Sequence, residues 1–351
     1  MKLAWPRAWG EPCAGAVIRS RPEDFRVEEL LGFEPDGEGE HAFLLLQKRQ
    51  LNTAELAERL ASLSGVHPRD VGYSGLKDRN AVTRQWFSVG LAGRPEPAWQ
   101  SLEADGDVTV LAQSRHRRKL RRGVHRGNRF RLVLRDVSGA TGALEQRLQQ
   151  IAQSGVPNYF GEQRFGRGGA TVDGALAWAR GGRRPGRARR SLYLSALRGL
   201  LFNEMLAQRV AAGDWCEAAA GEVCLLSGSN SFFVVGEADA QLGERLRSGD
   251  VNPALPLWGD GGGEAAQFAL RCARAQAQYT EVLDFLQREG LRLAWRSTRL
   301  LPDDFCWQFC DDGGLQLDFA LGAGGYATAL LAECVQYRDG SVMGGTGSEQ
   351  G

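Results

Sequence analysis

The segment Val71–Val89, VGYSGLKDRNAVTRQWFSV, constrains the fold of this chain more than any other stretch. It begins with a hydrophobic–glycine–aromatic step, presents Lys77, Asp78 and Arg79 in a row, and ends in the β-prone run Gln85–Val89. Three successive charged side chains between two strand-like runs do not fit inside a buried sheet. The segment therefore predicts a turn, a sheet end or a cleft bounded by two strands.

The chemistry of this segment depends on Asp78, which has a cation on either side. Opposite charges nearby favour the ionised carboxylate, and an ionised carboxylate can act as a nucleophile. A Lys-Asp-Arg triplet alone is more often a solvated turn with a local ion pair. A glycosidase would use a second carboxylate, and the nearest acid in sequence, Asp70, lies before the first strand-like run.

Length and composition indicate a soluble globular protein of two domains. The chain has 351 residues, of which 43% are apolar and 24% charged, as in ordinary soluble domains. The net charge is only +1, so a nucleic-acid surface must come from uneven placement of the basic residues.

Such uneven placement occurs in Ser114–Arg131, SRHRRKLRRGVHRGNRFR, which we call the basic belt. A charge run is usually a solvated face or a tail. Here the strand-like run Phe130–Leu134 follows at once, and no acidic residue interrupts the belt. A basic segment tethered to a sheet favours contact with phosphates. The predicted RNA-binding side chains of the belt are Arg117, Arg118, Lys119, Arg121 and Arg122.

The cysteines and the chain start bear on the compartment. Seven scattered cysteines include no CxxC pair, and the four histidines have no metal-ligand spacing with them. This pattern predicts free thiols in a reducing cytoplasm and no zinc site. The first residues lack an apolar signal core, and no apolar run is long enough to span a bilayer.

Short-range patterns predict the elements around Asp78. Phe25–Glu28 and residues 42–48 read as strands, and a helix begins at Asn52 or Thr53 and ends near Gly65. This strand–helix–strand order suits a mixed α+β domain. Further along, the patterns predict helices at 142–152, 191–212 and 273–290, surface loops at 180–190 and 253–263, and a disordered tail from residue 339.

The string GYSGLKDRNAVTRQWFSV closely resembles the signature of the TruD family of tRNA pseudouridine synthases. In that family the aspartate of the signature is the catalytic nucleophile, which corresponds to Asp78 here. Other family motifs are matched along nearly the whole chain: PEDFRVEE at 22–29, GNRF at 127–130, VPNYFGEQRFG at 156–166 and LGAGGYATALL at 321–331.

The resemblance implies roles for several residues in these motifs. Phe25 would contact the target nucleotide, and Asn128 and Phe130 would lie at the active site with Lys77 and Arg79. From the pattern alone, Phe25 is a core residue and Asn128 a turn former. Tyr326 stands where the family commonly has phenylalanine, an aromatic residue of the catalytic pocket, and it would stack on the target base. Arg164 is a candidate RNA contact.

The resemblance also implies fold and activity. The fold class would be α+β. A catalytic domain of the pseudouridine-synthase type, with a mixed and largely antiparallel sheet, would span 1–155 and 302–351. An inserted α/β TRUD domain would span 156–301, with a positive cleft between the two domains.

The implied reaction is isomerisation of uridine 13, above all in glutamate tRNA, through a flipped-out base and without cofactor or metal. We expect a cytoplasmic monomer that needs no protein partner and no membrane. Two rival functions are a non-catalytic RNA-binding protein and a glycoside hydrolase or N-glycosidase.

Overall fold

The computed structural model describes residues 4–343, and within them the chain forms two compact units. Residues 4–12, 142–301 and 326–334 make up what we call the helical unit. Residues 13–141, 302–325 and 335–343 make up the sheet unit. Each unit is thus assembled from three separate stretches of the chain.

The predicted domain limits, 1–155 with 302–351 and 156–301, differ from these two units, because residues 4–12, 142–155 and 326–334 belong to the helical unit. Trp9 Nε1 donates to the carbonyl of Gly155 at 3.0 Å. The carboxylate of Glu333 accepts from the amides of Ala8 and Trp9 at 3.0 and 3.2 Å. Arg147 Nη1 donates to the Glu333 carbonyl at 2.7 Å. The limits of the catalytic and TRUD domains stay a prediction.

Sixteen strands are present in the described residues. In chain order they are β1 Ala14–Ile18, β2 Phe25–Leu30, β3 His41–Arg49, β4 Val71–Tyr73, β5 Val82–Gly90, β6 Val108–His116, β7 Gly127–Gly139, β8 Val156–Pro157, β9 Val223–Leu226, β10 Phe232–Val234, β11 Val251–Leu257, β12 Ala294–Ser297, β13 Arg299–Leu300, β14 Asp303–Phe309, β15 Leu315–Gly322 and β16 Gln336–Asp339.

Nine α-helices are present in the same part of the chain, together with several short 3₁₀ turns. They are α1 Thr53–Ser64, α2 Thr141–Ser154, α3 Ala170–Ala179, α4 Arg187–Ala212, α5 Ala240–Ser248, α6 Ala266–Arg274, α7 Thr280–Arg288, α8 Ala327–Cys334 and α9 Gly340–Met343. None of the helices among residues 4–343 has the length and apolar character needed to cross a membrane.

The sheet unit contains one ten-stranded sheet, with seven strands in the order β14-β15-β7-β2-β5-β3-β6. Strand β1 pairs with β7 and β16, and β4 pairs with β5. Only the pairs β1–β16 and β2–β5 are parallel. The prediction of a mixed, largely antiparallel sheet is therefore confirmed.

Helix α1 packs its apolar residues Leu56 and Leu60 beneath the sheet and ends at Gly65. The φ of 61° at Gly65 is the left-handed C-cap conformation that glycine adopts readily.

The helical unit is built on α4, whose apolar residues recur at helical spacing. Leu197, Leu201 and Phe202 of this helix are fully buried in the main core of the unit. A four-stranded sheet in the order β10-β9-β11-β12 belongs to the same unit. Gly213, with a φ of 81°, ends the helix in the left-handed conformation.

Four predictions of local structure are wrong. The predicted helix at 273–290 is interrupted, because α6 ends at Arg274 and α7 begins only at Thr280. The predicted surface loop at 253–263 contains most of β11, in which Pro253 and Pro256 stand in a strand paired on both sides. Burial of Val251, Ala254 and Leu255 outweighs the amide hydrogens that the prolines lack. Part of the predicted loop at 180–190 belongs to α4, and the predicted tail is ordered as β16 and α9 up to residue 343. The rest of the tail, 344–351, lies outside the described residues.

Candidate active site

Asp78 lies on the turn between β4 and β5, which confirms the turn predicted for the charged triplet. Two buried side chains hold this turn. Thr53 Oγ1 accepts from the Lys77 amide at 3.0 Å and donates to Gln85 Oε1 at 3.2 Å. The Gln85 amide group in turn donates to the carbonyl of Gly75. The main chain on the N-terminal side of Asp78 is therefore fixed by α1 and β5.

The cation that pairs with Asp78 is Arg19, and not one of the two neighbours in sequence. Arg19 Nη2 lies 2.8 Å from Asp78 Oδ2, while Asp78 Oδ1 accepts from the Asn80 amide at 3.1 Å. Lys77 Nζ instead lies 2.7 Å from Glu29 Oε2, and both of these side chains are almost completely buried. Arg79 is exposed and donates to the carbonyl of Gln50 at 3.2 Å. Successive side chains on a turn point apart, so the flanking cations find other partners.

Arg19 follows β1 with a φ of 54°, a left-handed conformation that is strained for a side chain of this size. Its guanidinium lies 4.1 Å from the centre of the Phe25 ring, at cation–π distance. Its other terminal nitrogen, Nη1, lies 2.8 Å from Asp339 Oδ2. Neither Arg19 nor Asp339 was predicted from the sequence, where Asp70 is the nearest acid before Asp78, because β1 and β16 are both far from Asp78 in the chain.

Lys48 is a second residue that the sequence analysis treated as an ordinary strand position. Its side chain is fully buried, and its Nζ donates to the carbonyls of Leu51 and Asp78 at 2.7 and 2.9 Å. Burial lowers the pKa of Lys48 from 10.5 to about 8, opposed by the attraction of Asp78 and assisted by the repulsion of Lys77. Lys48 thus ties the main chain of Asp78 to the end of β3.

This pKa shift predicts a specific dependence of stability on pH. Between about pH 8 and 10.5 the unfolded chain binds a proton at Lys48 that the folded chain has lost. The free energy of unfolding should therefore rise with pH in this window, whereas below pH 8 both states are protonated and the burial cost is fully present. In Lys48→Met this slope, up to about 1.4 kcal/mol per pH unit, should disappear. Urea denaturation at pH 7, 8, 9 and 10 tests it, and equal slopes for both proteins would contradict the assignment.

An aromatic row lies on the face of the sheet that bears Arg19. The rings of Phe25 and Phe130 are 6.5 Å apart and nearly perpendicular, and Phe130 stacks on Phe319 at 5.3 Å. Phe25 is 4% exposed and Phe130 is 7% exposed. Both rings therefore belong to the core, as the pattern alone indicated for Phe25, and contact with a nucleotide stays a prediction for both.

Asn128 lies beside the Lys77–Glu29 ion pair. It is the register partner of Glu29 across strands β2 and β7. Its Oδ1 atom is buried and accepts no hydrogen bond from the described residues. Such an acceptor is costly to leave without a donor. The amide of Asn128 therefore has hydrogen-bonding capacity that a ligand could use.

The basic belt contacts an acidic loop, residues 34–40, that precedes β3. Asp36 Oδ2 lies 2.9 Å from His116 Nδ1 and accepts from the Arg117 amide at 3.1 Å. The Arg117 guanidinium is paired with Glu38. Although no acid interrupts the belt in sequence, this loop partly neutralises its first residues in space.

The middle of the belt, residues 118–122, contains both anchored and free cations. Lys119 Nζ donates to the carbonyl of Arg69, and the belt passes so close to β4 that a Cβ at Gly72 would lie 2.3 Å from the Leu120 carbonyl oxygen. Arg122 lies over the Tyr73 ring at 5.5 Å. Arg118 and Arg121 are exposed and have no carboxylate within ion-pair distance in the described chain.

Tyr326 and Arg164 come together in the helical unit. The Tyr326 hydroxyl accepts from Arg164 Nη2 at 3.3 Å, and its half-buried ring lies edge-on to Phe160 at 6.3 Å. Arg296 packs on the same Phe160 ring, with its guanidinium 4.0 Å from the ring centre. Burial lowers the pKa of Arg296 to about 9. The hydroxyl that distinguishes Tyr326 from phenylalanine thus has a protein partner.

The chemistry available to the site follows from these contacts. The two carboxylate oxygens of Asp78 contact Arg19 and the Asn80 amide, and its main-chain carbonyl accepts from Lys48. The amide of the preceding residue, Lys77, donates to Thr53. Within residues 4–343, no three His, Cys, Asp or Glu side chains are grouped so that they could hold a metal ion. The arrangement suits nucleophilic or general-base chemistry by one carboxylate beside a basic surface.

The chain matches a family model described as tRNA pseudouridine synthase D (TruD) over residues 6–171 and 186–334. Among the similar proteins are two named tRNA pseudouridine synthase D. The one from Methylococcus capsulatus is 47% identical over 95% of this chain and 94% of its own. The one from Nitrosococcus oceani is 46% identical over 93% and 92%. A crystal structure described as that of a TruD protein from Methanosarcina mazei has a TM-score of 0.67 at 22% identity, covering 97% of both chains, which shows a shared fold.

Proposed function

The chain belongs to the tRNA pseudouridine synthase D family, and on that premise we propose that Asp78 is the catalytic residue of a tRNA pseudouridine synthase acting on uridine 13. The observation that carries the proposal is the set of contacts that fixes Asp78. Its side chain is held by Arg19, its carbonyl by Lys48, and its turn by Thr53. A solvated turn needs no such set of buried partners.

The reaction requires no redox change and no transfer between molecules. The N1–C1′ bond of uridine breaks, the uracil turns within the site, and C5 bonds to C1′. N1 gains a proton and C5 loses one. Asp78 either attacks C1′, giving a covalent ribose ester, or removes a ribose proton, giving a glycal. Each route uses the ionised carboxylate, and neither needs a metal or an organic cofactor.

The base must leave the RNA stack for both C1′ and C5 to reach the enzyme. Leu76, two residues before Asp78, is 67% exposed, and exposed leucines are among the side chains that proteins insert between stacked bases. Asn128 offers an unpaired buried amide oxygen next to Lys77 and Glu29. A uracil edge has the N–H donor that this oxygen lacks.

The RNA is held mainly through its phosphates. The exposed Arg118 and Arg121 supply charges that no acidic side chain in the described chain neutralises, and Arg122 presents its guanidinium over the Tyr73 ring. Arg164 in the helical unit is proposed as a further contact. Glutamate tRNA as the preferred substrate, a monomeric state and a cytoplasmic location are part of the proposal, and the free thiols support the last of these.

The proposed function is tested chemically, since the isomerisation leaves the mass of the RNA unchanged. The protein is incubated with unmodified glutamate tRNA, and pseudouridine is mapped by carbodiimide treatment and primer extension. A stop at position 13 that depends on Asp78 supports the proposal. A stop at another position means that a different uridine is modified. The absence of a stop in every tRNA tested overturns the proposal.

The same incubation tests the glycosidase alternative. Asp339 brings a second carboxylate onto the guanidinium that binds Asp78, and paired carboxylates are the usual equipment of glycosidases. A glycosidase would release free uracil, which chromatography detects. Pseudouridine without free uracil excludes this alternative.

Tyr326 is proposed to stack on the target base, and two variants separate the functions of its ring and its hydroxyl. Tyr326→Ala should weaken transition-state binding by about 1–3 kcal/mol, the usual range for a base–aromatic stack. Tyr326→Phe loses only the hydrogen bond from Arg164, so the activation free energy of its single turnover should rise by about 0.5–1.5 kcal/mol at most. Normal single-turnover kinetics for Tyr326→Ala, with only a lower melting temperature, would assign the ring to the core.

A further inference from the structure

The residues that follow β16 pack closely against the residues that follow β1, among them Arg19. Ile18 is the register partner of Asp339 in the parallel pair of β1 and β16. A Cβ added at Gly340 would lie 3.0 Å from the Ser20 Cα and 3.3 Å from the Arg19 carbonyl oxygen. The segment from 336 to 341 therefore packs directly on the left-handed residue whose side chain reaches Asp78.

The carboxylate of Asp339 is oriented on both of its oxygens. Oδ1 accepts from the Ser341 amide at 3.1 Å and from the Ser341 hydroxyl at 2.7 Å. Oδ2 accepts from Arg19 Nη1 at 2.8 Å. Asp339 is only 30% exposed at its side chain and Arg19 only 10%, so solvent screens this pair less than an ordinary surface pair.

The guanidinium of Arg19 depends on these contacts for its position. One terminal nitrogen is bound to Asp78, the other to Asp339, and the plane lies over Phe25. Its Nε atom is buried and has no hydrogen-bond partner among the described residues. Without Asp339, the guanidinium would be paired with the carboxylate of Asp78 alone. The second ion pair, which prevents the guanidinium from rotating, would be lost.

We infer that Asp339 is a positioning residue for the Asp78 carboxylate and acts through Arg19. The inference rests on the proposed role of Asp78 as the catalytic residue. Asp339 lies beyond residue 334, the last one matched by the family model, so the contact is not part of the segment that the family model describes. Ser341 orients Asp339, Asp339 orients Arg19, and Arg19 holds Oδ2 of Asp78.

Asp339→Asn tests the inference because it keeps the shape of the side chain and removes its charge. Its single-turnover rate at saturating tRNA should fall roughly ten- to hundredfold, as expected when a reacting group is misplaced, with tRNA affinity unchanged. The matched control is Asp318→Asn, which removes the carboxylate paired with Arg131 at 2.8 Å elsewhere in the sheet and should retain the wild-type rate.

A double-mutant cycle and a spectroscopic measurement separate positioning from general stabilisation. In an Arg19→Ala background, Asp339→Asn should cost nothing further, because the residue through which it acts is gone. The NMR signals of the two Arg19 Nη groups are assigned as those that disappear in Arg19→Lys. In the wild type these two signals should be separate, and in Asp339→Asn they should merge. If Asp339→Asn does not fold, Ser341→Ala removes one of the hydrogen bonds that orient the carboxylate and should lower the rate severalfold.

Three outcomes would overturn the inference: a rate for Asp339→Asn within twofold of wild type, rate losses that multiply in the Arg19→Ala background, or unchanged Arg19 signals. The NMR arm does not depend on turnover. An inactive wild type with merging Arg19 signals in Asp339→Asn would reject the proposed function and keep the contact. An active wild type with an unaffected Asp339→Asn would reject only the inference.

Discussion

Replacing Asp78 with asparagine is expected to abolish pseudouridine formation, with a loss of at least about a thousandfold, or roughly 4 kcal/mol of transition-state stabilisation. The amide is neither nucleophilic nor basic, so both candidate routes at the ribose fail. If its oxygen accepts from the Asn80 amide as Oδ1 does now, its NH₂ group faces Arg19 Nη2, donor against donor. The chemical role and the contact with Arg19 are therefore lost together.

Binding of tRNA should survive this substitution, because removing a negative charge near phosphates does not weaken their attraction to the enzyme. Single-turnover kinetics measure the loss of rate, and filter binding measures affinity. Asp318→Asn provides the control for carboxylate loss in the same sheet. If Asp78→Asn converts uridine at a substantial rate, another residue is the catalytic one.

Reversing two of the unpaired cations of the basic belt should have the next largest effect, and on affinity instead of rate. In the double variant Arg118→Glu with Arg121→Glu, tRNA affinity at physiological salt should fall roughly tenfold or more. The slope of log K against log salt should become shallower by about one unit at most for each lost phosphate contact. These two residues are chosen because Arg117 already pairs with Glu38 and Lys119 anchors the belt to Arg69.

The acidic loop provides a control of opposite sign. Glu38→Gln frees the Arg117 guanidinium, so it should strengthen tRNA binding and steepen the salt dependence. Titrations at several salt concentrations measure all three proteins. If the slope is the same for the double variant and the wild type, the free cations of the belt face solvent and not RNA.

Local patterns in the sequence predicted the frame of the site. The charged triplet at Asp78 required a turn, and Gly65 marked the end of α1. These features depend on neighbours within a few residues, where the spacing of apolar side chains and the conformation of glycine determine the structure. The resemblance to the family added Asp78 itself as the candidate nucleophile.

The partners of Asp78 could not be predicted in this way. Arg19 and Asp339 reach the site through the pairing of the first and last strands of the sheet, and no local pattern encodes that pairing. Lys48 was predicted only as the end of a buried strand, because its acceptors are main-chain carbonyls that have no signature in the sequence. Lys77 and Arg79 flank Asp78 in sequence, which suggested that they pair with it. The turn directs both side chains away from Asp78, to Glu29 and to the carbonyl of Gln50.

The pairing of β1 on both sides has a consequence for synthesis of the protein. One edge of β1 is covered by β7, but the other is covered only by β16, which is translated long after β1. At typical rates of elongation the ribosome needs roughly 15–65 s to make the residues between β1 and β16. During that time β1 presents an open edge, the kind of surface at which nascent chains aggregate. A message truncated shortly before β16 would leave this edge uncovered for good.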